Sequence, residues 1–128
     1  MSERIAFKIA AVVWATVIFL ASSVTLETTA EPLPGGDKIV HIAFYAILAY
    51  FVLCGWCIAK NKTLRKKEVV VVLTVIILYG ISDEFHQSFV PGRQPSGYDV
   101  LADGVGGLLG LLVLGLQLQR RNNMRALR

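Results

Sequence analysis

The chain is short of the residues that keep a soluble domain in water. Only 17% of its 128 residues are charged, where a soluble domain carries about 25%. Apolar residues make up 55%, above the usual share of about 45–50%, and the mean hydropathy is +0.59. Motifs are missing too. There is no Gly-x-x-x-x-Gly-Lys phosphate loop, so Asp83-Glu84-Phe85-His86 matches the acidic box of helicases by spelling alone. No His-Glu-x-x-His zinc motif occurs, and no Ser, His and Asp are spaced to suggest a serine nucleophile. The two cysteines stand in Cys54-Gly55-Trp56-Cys57. A redox Cys-x-x-C places its attacking thiol at a helix N-terminus. This one falls at the far end of an apolar run, which favours packing residues, with Trp56 as an interfacial anchor. The net charge of +4 does not indicate nucleic acid, because the basic segment 60–67 has no interleaved aromatics and no nucleic-acid module is present. A transporter's broken-helix repeat is absent as well.

What the chain does have is four apolar runs, at 5–24, 39–59, 69–81 and 100–118. Crossing about 30 Å of hydrocarbon takes about 20 helical residues. The third run reaches only about 20 Å unless the helix continues through 82–90, which would bring the Asp83–Gln87 turn to membrane depth. The expected spans are therefore 5–24, 38–59, 68–90 and 98–118. The fold class is an all-α integral membrane protein, with four transmembrane helices in one small bundle and 1–128 as a single transmembrane domain. The first run also resembles a signal peptide, but Thr28-Thr29-Ala30 is a poor cleavage site and no lipoprotein-type Cys follows, so retention is expected.

Charge then orients the spans. Eleven of the thirteen Lys and Arg fall on one side of the four-span arrangement, which the positive-inside rule makes cytoplasmic, together with both termini. Seven of the nine acids fall on the other side. The basic loop could attract anionic membrane lipids.

Almost every residue able to do chemistry lies in or beside 82–99. Asp37 follows Gly35-Gly36 as a natural N-cap, and His41 lies one turn on, on the same face. An ionisable group inside a span is costly and usually faces the bundle interior. On a helix, Asp83 aligns with His86 and Gln87, and Glu84 with Gln87. Pro91-Gly92 forms a tight turn. Arg93 follows, able to clamp a carboxylate or phosphate at two points, or to pair with Asp83, Glu84 or Asp99. Ser96-x-x-Asp99 fits a capping box. Asp103, one turn deeper, has no capping role. Gly106-x-x-x-Gly110 lets two helices approach closely, within the chain or between copies in an oligomer.

Asp37-x-x-x-His41, Asp83-Glu84-x-x-Gln87, Phe89, Arg93, Asp99 and the Gly-rich last span together resemble the VanZ-like membrane proteins, over about residues 37–110. That family often has Asn where this chain has Asp103. The resemblance implies a multi-pass protein of the bacterial plasma membrane and cell envelope. It also implies a link to resistance against the glycopeptide teicoplanin, with a cell-wall precursor or glycopeptide-related ligand as partner.

The polar residues then sort into roles. His41, Asp83, Glu84 and His86 are candidates for acid-base catalysis. Asp37, Gln87, Arg93, Asp99 and Asp103 are candidates for binding. Five acids gathered against Lys38 and Arg93 cannot all stay ionised without partners. They take up protons, or a divalent cation sits at the acidic and His cluster. Binding of an envelope lipid and enzymatic modification of one both remain open on these residues.

Overall fold

The computed structural model describes residues 3–25, 35–57 and 64–127. Among them every regular element is helical: α1 Glu3–Ser22, α2 Gly36–Val52, α3 Lys66–Gln87 and α4 Gly97–Ala126. A π-helical turn, Leu53–Cys57, prolongs α2. All four helices are long and apolar enough to cross a bilayer, α2 with its extension counting as Gly36–Trp56. Thr28-Thr29-Ala30, Pro32, Pro34, Lys60 and Lys62 lie outside the described residues.

Burial runs opposite to that of a soluble protein. Tyr45, Ala49, Leu53, Val72 and Ile76 fill the core, while Val12, Leu20, Val71, Leu78, Leu108 and Leu112 stand exposed. Exposed aliphatic side chains would be unfavourable in water and cost nothing in hydrocarbon. Within the bundle, side chains seek out main-chain oxygens. Trp14 Nε1 donates to the Phe44 carbonyl at 2.8 Å, and the Tyr79 hydroxyl donates to that of Ala15 at 2.6 Å. These bonds fasten α1 to α2 and α3.

The helices run up and down, so α2 and α4 are parallel, and they form the most extensive contact of the bundle. Glycine makes it so close. A Cβ on Gly106 would run into the Ile42 carbonyl oxygen, and one on Gly110 into that of Ala46. The Gly106/Gly110 face is therefore filled by α2 within the chain. This corrects the option of using it between copies. Gly107 faces the other way, where its Cβ would lie 3.1 Å from Ile76 and 3.3 Å from Leu73. So α4 is wedged between α2 and α3.

Boundaries follow local chemistry. Gly35, at φ 76 in the left-handed region, precedes α2 and holds its N-cap position. Asp37 thus lies in the first turn of the helix and does not cap it, contrary to expectation. At the start of α3, Glu68 accepts from the Arg65 backbone N–H and guanidinium, at 3.0 and 2.7 Å. As the length argument required, α3 continues past Ser82 and carries Asp83–Gln87 on its last turns, ending three residues earlier than position 90. Pro91-Gly92 then turns the chain: Gly92 has φ 81 and the Arg93 N–H donates to the Val90 carbonyl at 3.1 Å. Helix α4 runs on past 118 to Ala126. Gln, Arg and Asn at 117–125 are polar enough to end a membrane span, while Gln, Arg, Leu and Met there are good helix formers. At about 1.5 Å per residue its outer portion projects beyond a bilayer core.

Candidate functional site

The starts of α2 and α4 and the ends of α1 and α3 meet at one end of the bundle, opposite the start of α1 and the end of α4. Seven polar or charged residues are buried in the described chain, and six of them, Ser22, Asp83, Glu84, Gln87, Asp99 and Asp103, belong to this end.

The parallel register of α2 and α4 sets up two rungs one helical turn apart. In the outer rung, Lys38 Nζ lies 3.0 Å from Asp37 Oδ2 and 3.2 Å from Asp99 Oδ1. In the inner rung, His41 Nδ1 lies 2.9 Å from Asp103 Oδ1. Asp103 is fully buried, and its Oδ2 sits against Gly80 of α3, where any Cβ would collide with it. The His41 ring stacks nearly parallel on Tyr45, at 6.1 Å and 8°. With Nδ1 given to a carboxylate, Nε2 is the ring nitrogen left for chemistry.

Helix α3 adds two carboxylates. Asp83 Oδ2 accepts from Gln87 Nε2 at 3.0 Å. Glu84 Oε2 accepts from the Ser96 N–H at 2.6 Å, which ties α3 to the entry of α4. Among the described residues, Asp83 Oδ1, Glu84 Oε1, Asp103 Oδ2, the Tyr45 hydroxyl and Arg93 Nε are buried with no hydrogen-bond partner, and Asp99 Oδ1 has only its ion pair with Lys38. A buried polar atom without a partner costs about 1–3 kcal/mol, more when charged. Five such atoms in one place are unusual in a native fold. His41, Asp83 and Glu84 also each offer a ligand atom such that the three lie within 4.8 Å of one another.

A cavity of about 170 Å³ opens beside this group, between α1, α2 and α3. Apolar Ile18, Val40 and Phe44 line it together with polar His41, Asp83 and Arg93. Asp37 and Gln87 also reach its wall. Among the described residues Arg93 pairs with no carboxylate, in contrast to the pairing with Asp83, Glu84 or Asp99 that the sequence allowed. Its Nη2 donates to the Ala21 and Val24 carbonyls, both at 2.9 Å, at the end of α1. Both carbonyls lie where α1 ends, that of Ala21 also accepting from the Val24 N–H at 3.4 Å, and a cation suits a helix C-terminus.

The structure thus brings His41, Asp83, Glu84, Gln87, Asp37, Asp99 and Asp103 together. His86 goes elsewhere: its Nε2 lies 2.9 Å from Ser23 Oγ and its ring packs on Phe19 of α1. Asp83 and His86 share a helix face by spacing, yet their side chains part to different neighbours. The Ser96 capping role holds, with its Oγ accepting from the Tyr98 N–H at 3.2 Å. Asp99 does not complete a capping box and turns instead to Lys38. Sequence reasoning passed over three contributors. Tyr45 lies four residues after His41, a spacing that could have indicated it. Lys38 was counted only as a charge, and Gly80 as part of an apolar run.

A family model described as VanZ/LLP1 matches residues 7–117, a stretch that includes every residue of this site. No curated protein and no solved structure matches the chain.

Proposed function

The chain belongs to the VanZ/LLP1 family, and from that premise we propose that it serves the bacterial envelope by binding the polar head of a membrane-anchored component. In this reading it sits in the bacterial plasma membrane with the polar end of the bundle facing outward. Its ligand is an envelope lipid or a lipid-borne cell-wall precursor, and through that ligand it contributes to resistance against glycopeptides such as teicoplanin. The observation that carries the reading is the cavity beside His41, whose lining mixes apolar Ile18, Val40 and Phe44, suited to an acyl or prenyl stem, with His41, Asp83 and Arg93, suited to a polar head. A volume of about 170 Å³ suits a headgroup and is far too small for a whole glycopeptide. Resistance would then act through the envelope component and not through capture of the drug.

The test is a pocket-filling variant. Val40 is half-exposed and lines the cavity, so Val40→Trp occupies it with little disturbance to the core. Wild-type protein extracted in mild detergent is expected to carry a specific envelope lipid by mass spectrometry, and Val40→Trp to lose it. Cells expressing the wild type should tolerate more teicoplanin than cells expressing the variant at equal protein level. Equal lipid content in both proteins refutes the reading.

The His41–Asp103 pair favours a second reading, a membrane-embedded enzyme that modifies an envelope lipid or peptidoglycan precursor. A histidine whose Nδ1 is held by a carboxylate is oriented to act as a general base through Nε2. A modified lipid or precursor present with wild type and absent with His41→Gln would select this reading over binding alone.

A further inference from the structure

We propose that His41, Asp83 and Glu84 hold a first-row divalent transition-metal ion, with Asp103 positioning His41 from behind. The inference goes beyond headgroup binding and does not rest on it.

The first argument is geometric. One atom from each of the three side chains lies within 4.8 Å of the other two. Metal–ligand bonds of about 2.0–2.2 Å to His and carboxylate put three ligands of one ion about 3.0–3.6 Å apart. From a spread of up to 4.8 Å, side-chain movements of about 1 Å bring the three groups onto one ion.

The second argument is independent of proximity. Asp83 is 4% exposed and Glu84 is 7% exposed, and in each carboxylate one oxygen is bonded while the other has no partner. Gln87 and the Ser96 N–H hold one oxygen of each, which orients the other. Carboxylates tied in this way resemble metal ligands with their outer contacts already made. The imidazole has the same arrangement, since metal-binding His almost always gives its second ring nitrogen to a carboxylate, a backbone carbonyl or water, and Asp103 supplies such a contact at 2.9 Å.

The third argument is charge. Lys38 is engaged with Asp37 and Asp99, and Arg93 with carbonyls of α1. Among the described residues no Lys or Arg side chain bonds to Asp83, Glu84 or Asp103. Three buried acids against one imidazole call for a cation, and isolated buried charges are heavily penalised. The nitrogen ligand selects the class of ion: imidazole suits Zn²⁺, Fe²⁺ and other first-row metals, whereas Mg²⁺ and Ca²⁺ prefer oxygen alone. His41 and Asp83 also line the cavity, so an ion between them borders the space where a headgroup would sit.

The experiment uses the full chain purified in detergent, stripped with a chelator and titrated with Mn²⁺, Zn²⁺ or Ca²⁺ in the absence of any added lipid. Metal content, Mn²⁺ resonance spectra and the thermal midpoint are read. The expected result is one Mn²⁺ or Zn²⁺ per chain with a raised midpoint, and affinity for these at least tenfold above that for Ca²⁺. Asp83→Asn and Glu84→Gln should each weaken uptake at least tenfold, while their metal-free midpoints stay at or above that of the metal-free wild type, because each removes a buried charge. Asp103→Asn, acting only through His41, should weaken uptake about 10–100-fold and leave the one-to-one stoichiometry intact. Glu3→Gln, an exposed acid at the other end of the bundle, should bind as wild type. No uptake by the stripped protein, uptake unchanged in Asp83→Asn and Glu84→Gln, or no preference over Ca²⁺ would each overturn the proposal.

Discussion

His41 of α2 and Asp103 of α4 face each other at 2.9 Å, and the contact depends on residues that carry no chemistry. Gly106, three residues after Asp103, lies against the Ile42 carbonyl next to His41. Gly80 of α3 leaves the space that Asp103 Oδ2 occupies. The polar pair is therefore a product of helix spacing, which glycine sets from both sides.

The glycines give the first prediction. Gly80→Ala drives a methyl group into Asp103, and Gly106→Ala drives one into the α2 backbone, so each should lower stability by about 1–3 kcal/mol, the usual range for overpacking. Gly104 has nothing within 4 Å of its would-be Cβ. Gly104→Ala should therefore be neutral or stabilising by up to about 1 kcal/mol through helix propensity. Thermal unfolding in detergent reads all three, and equal losses at 80, 104 and 106 would contradict the packing account.

The pair itself gives the second. His41→Gln and Asp103→Leu should each cost about 1–3 kcal/mol, because each leaves a buried partner unsatisfied. The double variant should cost less than the sum by about 0.5–3 kcal/mol, the range found for residues in contact. Strict additivity in a double-mutant cycle would mean that the two side chains do not support each other in the folded protein.

The helical architecture was legible because hydrocarbon thickness is a ruler. Run 69–81 was too short to span alone, and that shortfall correctly extended α3 into Asp83–Gln87. The end of α4 was not legible in the same way, since hydropathy marks where a helix leaves the membrane and not where it stops. In the site, spacing placed residues on faces but could not choose partners. It aligned Asp83 with both His86 and Gln87, and only packing against α1 decided that His86 goes to Ser23 and Phe19. Arg93 was misjudged for a related reason. Carbonyls at the end of α1 compete for a guanidinium as well as carboxylates do, and they leave no trace in composition. Gly80 carries no polar atom, so only coordinates reveal that Asp103 needs it.

The third prediction concerns Arg93. Because its Nη2 joins the Ala21 and Val24 carbonyls, Arg93→Ala should destabilise the chain by about 1–2 kcal/mol, as expected for a partly exposed charged hydrogen bond. Arg93→Lys should recover part of this, since an ammonium can serve a helix C-terminus but lacks the planar fork. An unchanged thermal midpoint in Arg93→Ala would show that the tie to α1 contributes nothing.

The fourth prediction is the side of the membrane that the site faces. Tyr98 is 73% exposed beside the site, and Met124 is 61% exposed near the opposite end of the bundle. In a background with Cys54 and Cys57 replaced by Ala, single Tyr98→Cys and Met124→Cys variants report the two ends separately. Among the described residues, eight of the ten Lys and Arg belong to the end that holds Met124, and the positive-inside rule predicts that this end is cytoplasmic. A membrane-impermeant maleimide added to intact cells should therefore label the cysteine at 98 and leave the one at 124 unlabelled until the membrane is opened. The reverse pattern would put His41, Asp83 and Glu84 on the cytoplasmic side, and an outer-leaflet headgroup could then no longer be the ligand of the cavity beside them.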